Sequence, residues 1–199
     1  MKLYIIVLFV LLGCSCKQYN STGIKDTGFS VIPERYVLKS SGDINEKNDV
    51  VFWKGEKYNG FLYLLNSGTD DTISLEGYVD GQLNGVCKKW YANKQLLEER
   101  FYTDGNKNGK QVAYWANGNK RFEFTAIKDA YEGEMKEWTV DGRLFHLAHF
   151  VNGQEEGVQK LWYDNGKIRA NYVILHGKRY GLLGTKNCKN VSDSIFVVK

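Results

Sequence analysis

The side chains best suited to hold a metal or move a proton near neutral pH are His146, His149 and His176. Their spacing argues against both roles. His146 and His149 stand three apart, which on a strand points them to opposite faces and makes a poor metal pair. His176 sits directly before Gly177, in a slot that other segments fill with Asp or Asn before glycine. Of the four cysteines, Cys14 and Cys16 are separated by one residue, so no Cys-x-x-Cys exists. Cys188 follows His176 closely enough for a thiol–imidazole pair, but no third group is placed to orient it. The acidic pairs Asp70-Asp71, Glu98-Glu99 and Glu155-Glu156 are adjacent and diverge on a strand, so none has the spacing of a carboxylate couple. Gly177–Gly184 is glycine-rich but lacks the Lys-Ser/Thr of a phosphate loop. No catalytic, cofactor or metal residue is expected, and the chain reads as a non-enzyme.

Composition narrows the class. The 199 residues suit one domain, and 27 Lys and Arg against 23 Asp and Glu leave a net charge of +4. That balance is too mild for a nucleic-acid partner. Aromatics at 14% argue against disorder throughout, and 21 glycines with a single proline exclude collagen-like or proline-rich chains.

The elements that would carry any function follow from an internal period. Gly60, Gly85, Gly109, Gly133, Gly157 and Gly181 are spaced by 25 and then by 24 residues throughout. Five positions after them stand Leu65, Trp90, Tyr114, Trp138 and Trp162, and nine after stand Gly118, Gly142 and Gly166, with Lys94 departing. Asp80-Gly81, Asp104-Gly105 and Asn152-Gly153 are turn dipeptides, and Asn117-Gly118, Asp141-Gly142 and Asn165-Gly166 form a second set. Between turns the pattern alternates, as in Ile168, Ala170, Tyr172 and Ile174. The expected fold is all-β: an elongated antiparallel meander of about five to six stacked hairpins of 24 residues. In it the Tyr and Trp ladder supplies apolar area, while the register glycines bend the strand and leave room for a ring. Lys128-Asp129-Ala130 lacks the turn glycine, so that turn is expected to differ.

The residues Asp80-Gly81-Gln82-Leu83-Asn84-Gly85 with Trp90-Tyr91 resemble the membrane occupation and recognition nexus (MORN) repeat, in the bacterial form grouped with MORN-like antitoxins. The pattern recurs as Asp104–Gly109 with Tyr114-Trp115, and as Asn152–Gly157 with Trp162-Tyr163. The resemblance runs over about residues 51–187 and implies a single-sheet repeat solenoid. As to activity, it implies an antitoxin or immunity protein.

The N-terminus is expected to be an address. Leu3–Leu12 is an unbroken apolar run after Lys2. Such a run as a helix rises ~15 Å, half of a ~30 Å hydrocarbon core, which fits a cleaved leader over residues 1–13 better than a span. Leu11-Leu12-Gly13-Cys14 resembles the lipobox of bacterial lipoproteins, which implies cleavage before Cys14 and lipid attachment to it. The anchor expected is the outer membrane, on its periplasmic face. Residues 14–50 then read as a flexible tether with room for a short strand in Val31–Leu38, and 188–199 as a terminal cap or last strand. A Cys87–Cys188 bridge would join distant parts of the chain.

The candidate binding surface is the second ring of each aromatic pair: Tyr91, Trp115 and Tyr163. Adjacent strand residues face opposite ways, so one ring joins the core while the other offers a stacking surface. The function expected is a non-catalytic interaction module of the cell envelope that recruits a protein, with glycan binding or an antitoxin role as alternatives.

Overall fold

A computed structural model describes residues 31–184. They form sixteen strands: β1 (Tyr36–Leu38), β2 (Ile44–Lys47), β3 (Val50–Trp53), β4 (Glu56–Lys57), β5 (Gly60–Leu65), β6 (Thr72–Val79), β7 (Gln82–Leu83), β8 (Gly85–Trp90), β9 (Leu96–Thr103), β10 (Asn106–Tyr114), β11 (Lys120–Ile127), β12 (Ala130–Trp138), β13 (Leu144–Val151), β14 (Gln154–Trp162), β15 (Ile168–Leu175) and β16 (Lys178–Leu182). No helix occurs among the described residues. From β5 onward the strands pair antiparallel in chain order out to β16, as the period requires, with β7 paired to β6 and β1 added parallel to β5 at the first edge. The fold is the expected all-β meander of stacked hairpins.

Two turn types alternate along it. Asp80-Gly81, Asp104-Gly105, Asn152-Gly153 and His176-Gly177 all have positive φ at both residues, the geometry whose twist matches a two-residue hairpin. Lys128-Asp129 adopts the same turn, with φ of 49° and 66°, so the difference expected there is absent. Aspartate tolerates the left-handed region, and Asp129 Oδ1 also accepts the main-chain N–H of Lys107 at 2.9 Å. At the other end of each hairpin the chain folds back over Tyr91–Gln95, Trp115–Asn119, Thr139–Arg143 and Tyr163–Lys167. The left-handed residue there is Gly118, Gly142 or Gly166, and Lys94 takes the same conformation in the remaining unit.

The register glycines share a backbone requirement. All six, Gly60 through Gly181, have positive φ. The space they leave varies: a Cβ at Gly109 would meet Phe101 at 3.2 Å, whereas one at Gly133 meets nothing.

The core also differs from expectation. Trp90, Tyr114, Trp138 and Trp162 are only half-buried and stand at the hairpin ends, opposite Leu96, Lys120, Leu144 and Ile168. Among the described residues the sheet is a single layer along most of its length. Buried positions are therefore side chains small or flat enough to be covered by their strand neighbours, such as Ala113, Ala126, Ala148 and Ala170. A conventional cluster exists at the first end, where Val51, Tyr58, Leu62 and Tyr78 pack with Val37, Ile44, Trp53 and Leu83. The small sheet β2-β3-β4 supplies part of it, locked on by Val51 N–H to Gly81 O at 2.8 Å. Strands β1 and β2 fall inside the segment read as a tether, so the folded body begins before residue 51.

Candidate functional site

Strand pairing lines up side chains across the sheet. Ser74, Lys89, Glu98, Ala113, Phe122, Glu137, His146, Leu161 and Ala170 are successive cross-strand partners, one row running from β6 to β15 on a single face. The next row on that face is Cys87, Arg100, Gln111 and Phe124. Residues one position away, such as Lys88, Glu99, Val112, Glu123, Lys136, Leu147 and Lys160, form a row on the opposite face.

The first face carries a chain of rings. Phe122 and Phe124 lie 5.7 Å apart between centroids, Phe124 and Tyr131 4.5 Å, and Tyr131 and Phe150 5.0 Å. Over Phe122, at 5.0 Å, sits the Arg100 guanidinium. Arg100, Phe122, Phe124 and Tyr131 line a depression of about 310 Å³ with Lys107, Arg121, Met135 and Glu137.

Charges beside the rings are mostly spent on one another. Glu98 takes Lys89 at 2.9 Å and Arg100 at 3.0 Å, and Glu137 takes His146 Nδ1 at 2.8 Å. Burial pushes the Glu98 carboxyl up, but the Lys89 hydrogen bond and the two cations outweigh it and hold the group below its ordinary value. Lys107 and Arg121 make no ion pair among the described residues. Arg121 lies over the Trp115 ring at 4.9 Å, which leaves its guanidinium edge available.

The residues singled out from the sequence sit elsewhere. Tyr91 is half-buried and donates its hydroxyl to Tyr114 O at 3.0 Å. Trp115 is half-buried too, and donates its indole N–H to Trp138 O at 3.0 Å. Each ring reaches the same point of the following repeat and fastens one unit to the next. Tyr163 is 39% exposed, with Arg169 5.9 Å from its ring. His149 Nδ1 pairs with Glu156 O rather than approaching His146. No cluster of three or more potential metal ligands occurs among the described residues. Cys87 is a buried free thiol, and burial pushes its pKa up to about 11, which makes it unreactive. Cys14, Cys188, the leader and the terminal segment lie outside the described residues. The ring depression was missed. Its signal was Arg121-Phe122-Glu123-Phe124, a period-two aromatic pair away from the repeat's ring positions.

Two of these hairpin segments resemble a known repeat family. The family model described as "MORN repeat variant" matches residues 83–104 and 155–172, two of the segments whose turns and rings are described above. No curated protein is similar enough to count as a relative. Solved structures similar to this chain include TarM, at 11% identity and a TM-score of 0.31 over 55% of this chain and 21% of that one. Another is a S. aureus TarM mutant with fondaparinux, alpha-GlcNAc-glycerol and UDP, at 12% identity and a TM-score of 0.30 over 49% of this chain and 20% of that one. The matches thus span about a fifth of those chains. Among the described residues no helix is long and apolar enough to cross a membrane.

Proposed function

We propose that this MORN-like protein is a non-catalytic lipoprotein of the cell envelope, held to a membrane through Cys14, whose repeat sheet recruits a protein partner. Repeats of this kind commonly mediate protein or membrane binding. The observation that carries the reading is the chain of four rings, Phe122, Phe124, Tyr131 and Phe150, on one face of a sheet that no second layer covers there among the described residues. Aromatic, Met and Arg side chains are the types enriched at interface cores. Phe122, Phe124, Tyr131, Met135, Arg100 and Arg121 line the depression together.

The test is photo-crosslinking in native envelopes. A benzophenone side chain at position 131 should capture a discrete protein, and one at position 160, on the other face, should not. Envelopes that yield no protein adduct at either position would refute the recruiting role. In parallel, Cys14→Ala should move the chain from the membrane fraction to the soluble one. Retention in the membrane would refute the anchor.

A further inference from the structure

Resting on that partner-binding reading, we propose that the ring depression takes an acidic segment of the partner, with an apolar side chain on the rings and carboxylates on Lys107 and Arg121. The floor comes first. Phe124 is buried beneath half-buried Phe122 and Tyr131, which is 37% exposed, so an incoming apolar group removes water from the ring surface that those two leave wet.

The rim sets the sign of the partner's charge. Lys89 and Arg100 share Glu98, and Glu137 is hydrogen-bonded to His146, so here two cations stand beside two carboxylates and balance. Lys107 and Arg121 remain as cations without a carboxylate among the described residues. Arg121 is also held in place by Trp115, which lowers the ordering cost of a two-pronged bond to a carboxylate.

The same inventory separates an acidic peptide from other anions. Attraction to an anionic lipid surface takes a cluster of roughly four to eight Lys or Arg, and this site offers two free cations. A sugar brings many hydroxyls that need acceptors, whereas the nearby carboxylates Glu137 and Glu98 already have partners. A depression of about 310 Å³ holds one large side chain, and the ring-and-arginine lining matches an interface anchor pocket.

The experiment uses the full mature chain and a fluorescent, Glu-rich copolymer of Glu and Tyr, with a Lys/Tyr copolymer as the opposite-charge control. The Glu/Tyr copolymer should bind, bind more weakly as salt rises, and lose at least about tenfold in affinity in the Lys107→Glu/Arg121→Glu double variant. Lys160→Glu, on the opposite face, should leave binding unchanged. If the reversed variant unfolds, Lys107→Gln/Arg121→Gln gives the same readout with a smaller loss. Equal binding of the two copolymers, no binding, or indifference to both double variants overturns the proposal. So does tighter binding of polygalacturonate or of phosphatidylglycerol vesicles through the same two cations. A protein captured in envelopes through another surface would leave the recruiting role standing and remove this site alone. No capture at all would remove the recruiting role.

Discussion

Gln111 donates its side-chain amide to the main-chain carbonyl of Phe101 at 2.9 Å, and two repeats later Gln159 does the same to His149 at 2.9 Å. Both glutamines are fully buried, two residues after a register glycine. The strand register shifts at these places, so a carbonyl loses its ladder partner and the side chain replaces it. Gln111→Leu keeps much of the volume but strands the Phe101 carbonyl, and should cost about 1–2 kcal/mol in urea unfolding. Gln159→Leu should cost a similar amount, and the two should add because they share no neighbours. A Gln111→Leu protein as stable as the parent would refute this account of the bulge.

Gly81 and Gly166 have nearly the same backbone, with φ of 77° and 78°, yet different surroundings. A Cβ at Gly81 would meet Val51 O at 2.6 Å and Val50 Cγ1 at 2.5 Å, whereas one at Gly166 meets open space. Gly166→Ala should therefore cost only the left-handed strain, about 1 kcal/mol. Gly81→Ala should cost more, because the Val51 carbonyl is fixed by the Tyr58 N–H at 2.9 Å and the Val51 N–H holds the small sheet on Gly81 O. Thermal melts of the two variants rank them directly, and equal losses would remove the packing argument.

These contrasts mark what the sequence exposes. Turn positions were legible because Asp-Gly and Asn-Gly announce positive φ, and the period repeats the message. Lys94 and Lys128 were harder, since nothing in a lysine signals the left-handed region that the neighbouring hydrogen bonds impose. Alternation placed Tyr91, Trp115 and Tyr163 together but does not show that Tyr91 and Trp115 reach the carbonyls of the next repeat. The ring depression depends on cross-strand register, which brings Phe124 beside Tyr131 across the β11–β12 hairpin and Tyr131 beside Phe150 on the next strand. β1 was undecided because its parallel pairing to β5 is set by tertiary contact rather than by a turn.

Glu98 makes stability depend on acid. Its folded pKa is held below the unfolded value of about 4.3, so the stabilisation is fully present above that value and is lost as pH falls through the folded pKa. Urea midpoints should be flat from neutrality down to about pH 5 and then decline. Lys89→Met removes the hydrogen bond that most offsets burial, which raises the folded pKa toward the unfolded value, so in that variant the acid decline should be smaller. Superimposable profiles for parent and variant would show that Lys89 does not hold the carboxylate.

Tyr91 and Tyr131 separate fastening from binding. The Tyr91 hydroxyl is committed to Tyr114 O, so Tyr91→Phe deletes one inter-repeat hydrogen bond and leaves the ring in place. The expected loss is about 1 kcal/mol of stability, with binding of the Glu/Tyr copolymer unchanged. Tyr131 has a ring that is 37% exposed in the depression, so Tyr131→Ser should weaken the copolymer several-fold while shifting the melt only modestly. The opposite pattern, with Tyr91→Phe impairing binding and Tyr131→Ser silent, would return the interaction surface to the row of second rings.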